Sequence, residues 1–295
     1  MRKEPCEPKV GADVEVFLTK DDHVVPCVGL VEGTKDKPWQ PPDFVKGFAL
    51  QEDNVMLEFN VPPASSLWAW EENLRTARKM LKQYTPPEHK YIVVEHNNFI
   101  PKDLRSTQAK TIGCEPDFDA YSGGEERTFC GVLGNTRTCG GHIHLGGDFN
   151  CPDFVAALFA DLLIGTLPDV RSRGGPRAEW YGKAGIYRPK PYGIEYRTPS
   201  NRWFSDRSTI HNAGCAAYHL ARYLTYSDAA TIRLAFKAIP WTMIREYANP
   251  GPRDYAIEND IYELCRQHDL PFMQGDEDEE DRWDEEDEEE EEDWE

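Results

Sequence analysis

Four short stretches of this chain place acids, imidazoles or a guanidinium at alternate positions. Asp13 and Glu15 flank Val14; Glu52 and Glu58 share even numbering with Asn54; His142 and His144 flank Ile143; Glu195 and Arg197 flank Tyr196. Successive side chains along a β-strand point to opposite faces, so each set is directed to one side with apolar groups on the other. Asp13, Glu15, Glu52, Glu58 and Glu195 converging on one face would push each other's pKa upward unless hard cations neutralised them. Oxygen-rich sites with an occasional imidazole select magnesium or manganese. The bland alternative is a set of strand faces turned to water.

A second group of residues points to phosphate. Positions 168–191 carry Arg171, Arg173, Arg177, Lys183, Arg188 and Lys190 just before Glu195-Tyr196-Arg197, and read as one long loop. Divalent cations with several arginines suit phosphoryl transfer, in which charge spread over the equatorial oxygens must be neutralised. No G-x-x-x-x-G-K-[ST] sequence occurs, which excludes the P-loop pattern. His142 and His144 also admit a zinc hydrolase, with His96, His211 or His219 as a third ligand.

The elements that must position these groups follow from periodicity and punctuation. Residues 11–18 alternate as a strand, and the Lys20-Asp21-Asp22 turn leads to a hairpin partner at 23–30. Positions 33–47, with Pro38, Pro41 and Pro42, form a loop, and 48–61 read as one strand stopped by Pro62-Pro63. Ser65 or Ser66 caps a helix to about Tyr84, striped by Leu67, Trp70, Leu74, Ala77, Leu81 and Tyr84. A short strand follows at 91–95, then irregular chain over 97–137. Gly140 and Gly141 admit the backbone to a crowded place before the His-x-His strand. Pro152 starts a buried helix through 154–167, strand returns at 193–198, and helices cover 209–226, 228–239 and 254–267. Hairpins and helices without regular βαβ alternation predict an α+β fold. It is a largely antiparallel, curved sheet forming an open funnel, with helices packed on its outer face.

Composition divides the chain in two. The net charge is −20, but positions 276–295 hold 17 acidic residues and one arginine, leaving −4 for the first 275. The expected organisation is one catalytic domain over 1–275 and a disordered acidic tail over 276–295, since so dense a run self-repels and buries little apolar surface. Such a tail suits contact with a basic protein partner, the chemistry of a non-catalytic interaction protein; nucleic acid is not an expected partner. Eight cysteines without a C-x-x-C pair argue against structural zinc and for reduced thiols. No apolar leader and no membrane-length apolar run are present, so a cytoplasmic location is expected.

Five ordered motifs carry a family resemblance: Gly-Ala-Asp-Val-Glu-Val-Phe (11–17), Gln-Glu-Asp-Asn-Val-Met-Leu-Glu-Phe-Asn-Val-Pro-Pro-Ala (51–64), Gly-Cys-Glu-Pro-Asp-Phe (113–118), Arg-Thr-Cys-Gly-Gly-His-Ile-His (137–144) and Ile-Glu-Tyr-Arg-Thr-Pro-Ser-Asn (194–201). Over about residues 10–245 the chain resembles the phage COOH–NH2 ligases, the type 2 phage amidoligases of the glutamine synthetase and glutamate–cysteine ligase superfamily. The resemblance implies an ATP-dependent ligase that phosphorylates a carboxylate and passes the acyl group to an amine. It implies Mg2+ or Mn2+ held by Asp13, Glu15, Glu52, Glu58, His142 and Glu195, with aspartate at 13 where better-known members have glutamate. His144 then lies nearer the nucleotide, Arg197 stabilises the phosphoryl group beside Glu195, and Arg171, Arg173, Arg177 and Arg188 contact nucleotide or substrate. Small-molecule or peptide carboxylates and amines are the implied substrates, and a phage protein would work in the host cytoplasm.

Overall fold

The even-numbered residues of the first strand set the architecture. In the computed structural model, which describes residues 6–110, 117–126, 134–171, 177, 182–249 and 254–271, Val10, Ala12, Val14 and Val16 are buried in the main apolar core. That strand, β1, runs Lys9–Lys20 and is followed by β2 (His23–Val25), β3 (Ala49–Asp53), β4 (Met56–Asn60), β5 (Lys90–Ile92), β6 (His96–Asn98), β7 (Asp117–Asp119), β8 (Gly124–Glu126), β9 (Thr136–Thr138), β10 (Gly141–Gly146), β11 (Ile186–Lys190) and β12 (Gly193–Tyr196). The helices are α1 (Leu67–Tyr84), α2 (Thr107–Lys110), α3 (Asp153–Ala160), α4 (Arg207–Tyr226), α5 (Ala229–Ala238), α6 (Trp241–Ala248) and α7 (Tyr255–Gln267). Ten strands make one sheet in the order β3-β4-β1-β10-β12-β11-β7-β8, with β2 and β5 also on β1, while β6 and β9 pair apart. All the described pairings are antiparallel.

One face of this sheet is dry. Leu57, Phe59, Ile143, Leu145, Ile194 and Tyr196 join the β1 valines there against apolar residues of α1, α3 and α4. The Ser66 side chain caps α1 by accepting from the Ala69 amide at 3.1 Å, and the Trp70 indole donates to the Ile210 carbonyl at 3.0 Å, tying α1 to α4. Helix α3 is almost wholly buried and continues as a π turn, Asp161–Gly165. Asp161 sits behind β12, where the Tyr196 hydroxyl donates to it at 2.6 Å.

Four sequence expectations change, the first being the irregular reading of 97–137, whose described residues include α2, β7, β8 and β9. The segment 48–61 is a hairpin, because Asn54 takes a left-handed conformation (φ 58°) and turns the chain between β3 and β4; asparagine tolerates that region as few residues do. The stretch 168–191 is no single loop: its end pairs as β11 with β12 and β7. Helix α6 fills the interval left open between the last two expected helices. The expected acidic tail lies outside the described residues.

Gly140 and Gly141 bear out the reading of a crowded entry. A Cβ at Gly140 would come within 2.5 Å of His142 Nε2, and one at Gly141 within 2.6 Å of the Ser200 carbonyl oxygen and Trp203 Nε1. Trp203 is fully buried, stacks on Trp70 with centroids 5.3 Å apart, and donates its indole N–H to the Gly141 carbonyl. Gly141→Ala therefore forces backbone to move and is expected to destabilise the fold by about 1–3 kcal/mol. Gly124→Ala, where a Cβ meets only the Ser122 hydroxyl at 3.6 Å, should change stability by less than about 0.5 kcal/mol. Denaturant unfolding of the two variants checks the contrast.

Candidate functional site

The opposite face of the sheet collects the charges, and ladder register does the collecting. Across β1, Asp13 stands beside Asn60 of β4 and His142 of β10, while Glu15 stands beside Glu58. Glu58 in turn faces Gln51 of β3. Further along, His144 faces Glu195 of β12, which faces Arg188 of β11. Directly opposed residues in antiparallel strands have Cβ atoms only about 4.5–5.5 Å apart, so like charges placed this way interact strongly.

The two imidazoles converge on one carboxylate. His142 Nδ1 lies 2.8 Å from Asp13 Oδ1, and His144 Nε2 lies 3.2 Å from Asp13 Oδ2. His144 Nδ1 is 2.6 Å from the Tyr192 hydroxyl, with the two rings nearly parallel. Glu195 is ringed by cations: Lys190 Nζ at 2.7 Å, Arg188 Nη1 at 3.6 Å, and a close contact with the Arg197 guanidinium. Asp117 completes this end, with Arg188 Nη2 at 2.8 Å and Arg197 Nε at 3.2 Å.

Two groups of donors are spaced to hold a cation. Asp13, His144 and Glu195 each offer one ligand atom, all within 4.8 Å of one another, and so do Glu15, Asp53 and Glu58. Burial pushes the Glu15 carboxyl up to about 7, with Asp53 adding to the rise. Burial raises Glu58 well above the carboxylate range, helped by Asp13, Asp53 and Glu15, and burial with Asp13 raises Glu195. Burial also pushes Asp13 up, but the two imidazoles facing it hold it well below the usual range. Burial, aided by Arg197, pushes His142 down to about 3, so its ring is neutral. Buried acids whose pKa is raised by burial and by one another fit divalent cations, and an oxygen-dominated set favours magnesium or manganese.

The expected site residues divide cleanly. Asp13, Glu15, Glu58, His142, His144, Glu195, Arg197 and Arg188 share this basin. Glu52 does not: it pairs with Leu57, so parity turns it away from Glu58, and it accepts hydrogen bonds from the Gly29 amide and Gln108. Its neighbour Asp53 takes the place intended for it, because the turn at Asn54 makes β3 and β4 separate strands. Arg177 is fully buried and donates to the carbonyls of Cys139, Arg197, Thr198 and Pro199. It staples the approach to β10 to the exit from β12. Arg171 donates to the Asn249 carbonyl and lies over the Tyr247 ring. Both guanidiniums serve the fold where the sequence suggested ligand contacts, and Arg173 lies outside the described residues. Sequence reasoning missed Asp53, Asp117 and Tyr192 as members, while Lys190, one of the basic residues read as pointing to phosphate, does join the site. The Asp53-Asn54 turn signal and the alternation of Arg188 with Lys190 were the available clues.

The third histidine of a zinc site is not in either group. His211 pairs with Glu71, and each donor group among the described residues contains at most one imidazole. No helix among the described residues is long and apolar enough to cross a membrane.

A family model described as phage phiEco32-like COOH-NH2 ligase type 2 matches residues 131–287, more than half of the chain. That span contains β10, β11 and β12 with His142, His144, Arg188, Glu195 and Arg197. Curated proteins yield no match. Among solved structures, the crystal structure of a bifunctional glutathione synthetase from Pasteurella multocida aligns with 12% identity and a TM-score of 0.35, over 90% of this chain and 47% of that one. The chain thus spans about half the length of that protein.

The basin makes stability depend on pH. Carboxyls with raised pKa stabilise the folded state below their ordinary value of 4.5 and lose that contribution as pH rises through their folded values, about 7 for Glu15 and beyond the usual range for Glu58. His142, lowered from 6.5 to about 3, acts oppositely, but its contribution is complete above 6.5. Between about pH 6.5 and 8 the carboxyls act alone. The thermal midpoint without divalent cations should therefore fall across that window. Magnesium should restore it, with a larger gain at the alkaline end; calorimetry in matched buffers checks both.

Proposed function

The chain belongs to the phage phiEco32-like COOH-NH2 ligase type 2 family, and on that premise we propose that it is an ATP-dependent carboxylate–amine ligase working on the charged face of the sheet. The observation that carries the proposal is the meeting of two cation-spaced donor groups with Arg188, Lys190 and Arg197 in one basin. Anionic and cationic groups side by side suit a substrate that is itself a polyanion accompanied by metal. The wider fold proposed is an open funnel of the glutamine synthetase and glutamate–cysteine ligase kind.

Asp13, Glu15, Asp53, Glu58, His144 and Glu195 would hold Mg2+ or Mn2+, and ATP bound with it would supply the phosphoryl group that activates the carboxylate. The chain's own residues do the rest. Arg197 and Arg188 share Asp117 and Glu195 as resting partners. They can exchange these for phosphoryl oxygens, which stabilises charge developing on the group in transfer. Glu195 anchors Lys190, Arg188 and Arg197 around the group in transfer, and the proton that the incoming amine sheds as the amide bond forms leaves with phosphate or to solvent. His142, held neutral, orients Asp13 without adding positive charge. The substrates proposed are small-molecule or peptide carboxylates and amines.

The experiment is a coupled assay for ADP and phosphate, with magnesium and a panel of carboxylates and amines. Arg197→Ala and Glu195→Gln should each lower turnover by about 10²–10³-fold while circular dichroism stays native. Folded protein that binds no nucleotide with magnesium would overturn the proposal. Exchanging the two neighbouring acids gives a sharper check on the basin. Asp53→Asn should weaken cation binding measured by Mn2+ titration, and Glu52→Gln should leave it near that of the unaltered protein.

A further inference from the structure

Besides its three carboxylates, the Glu15–Asp53–Glu58 group has two features that its acids do not explain. The first is Gln51, only 6% exposed, opposite Glu58 on the hairpin. Its side chain hydrogen-bonds Glu58, yet Oε1 is buried without a hydrogen-bond partner. A buried amide oxygen left unsatisfied is costly, so the site favours a ligand that completes it. On a side chain that touches Glu58, such an oxygen is the complement of a hard cation, which takes neutral carbonyl oxygens as well as carboxylates.

The second is Lys35, whose Nζ lies 2.8 Å from Asp53 Oδ2 while half of its side chain remains in solvent. Its place is built. Thr34 and Lys37 exchange two backbone hydrogen bonds of 3.0 Å, which makes a tight turn with Lys35 at its tip. The Glu52 amide donates to the Gly33 carbonyl at 2.9 Å, which fastens that turn to the edge of β3. The ammonium is thereby held beside the residue next to its anchor strand. Burial alone would lower its pKa, but Asp53, and behind it Glu15 and Glu58, raise it on balance.

We propose that Lys35 is the resident counter-ion of the Glu15–Asp53–Glu58 cluster and that a divalent cation binds there by displacing its ammonium from Asp53. The lysine then sets how readily the site loads and lets the Thr34–Lys37 turn report whether an ion is in place. A half-exposed ion pair is weak, of the order that competes with a dication without excluding it. Released, the ammonium stays at the rim, where it can meet an anionic ligand. The inference rests on the cation-dependent ligase reading above.

The test is Mn2+ titration of the full-length protein followed by electron paramagnetic resonance, with the saturable component that Asp53→Asn removes taken as this site. The acidic tail contributes the same weak background to every variant. Lys35→Gln should bind Mn2+ about three- to tenfold more tightly than the unaltered protein, since it removes a competing positive charge at short range. Lys35→Arg should bind as the unaltered protein does, and circular dichroism of both variants should stay native. Unchanged or weaker Mn2+ binding in Lys35→Gln overturns the role of Lys35 and leaves the ligase reading standing. A signal from tail background alone in the unaltered protein overturns both.

Discussion

Uncompensated negative charge on a buried sheet face is the constraint from which the rest of this structure follows. Each carboxylate taken from water into such a place costs several kcal/mol unless paired, and β-ladder geometry brings these acids into direct opposition. The chain manages the excess in three ways at three places. Asp13 is flanked by two imidazoles, Glu195 and Asp117 by three cationic side chains, and Glu15 and Glu58 meet each other with their pKa values raised by burial. This last is the least satisfied, and it is also where an ammonium from a neighbouring turn leans in.

The opposite face explains why so charged a surface can be held flat enough to be useful. Valines, leucines and aromatic rings lock β1, β4, β10 and β12 onto α1, α3 and α4, and each buried side chain of that kind contributes about 1.5–3 kcal/mol. Arg177 adds a polar fastening, its guanidinium spent on four backbone carbonyls at the point where β10 begins and β12 ends. Asp161 does the same from behind β12 through Tyr196. Glu195 and Arg197 are thus positioned by Asp161 from behind their strand and by Arg177 at its end.

Period-two alternation made most of this site legible in the sequence. Asp13, Glu15, His142, His144, Glu195 and Arg197 could be assigned to one face because each sits in a strand whose phase is fixed by valine, isoleucine or tyrosine between them. The same reasoning failed at Glu52 for a local reason, since parity is reset wherever the backbone turns and a single Asn54 resets it. Arg171 and Arg177 failed differently: nothing in the identity of an arginine tells whether it will meet a phosphate or a carbonyl, because the guanidinium donates to both. Asp117 was hidden by a three-residue strand too short to show any period, and the loop assignment, though it named Lys190, concealed the strand β11 that aims it.

The hairpin between β3 and β4 has a consequence for robustness. Glu52 and Asp53 are adjacent acids on opposite sides of one strand. If β3 slid by one residue against β4, Asp53 would leave the basin and Glu52 would enter it. The same slip would carry Leu50 out of the apolar core onto the charged face and turn Gln51 inward, so it is hydrophobic burial, and not the acids, that fixes the register of this hairpin.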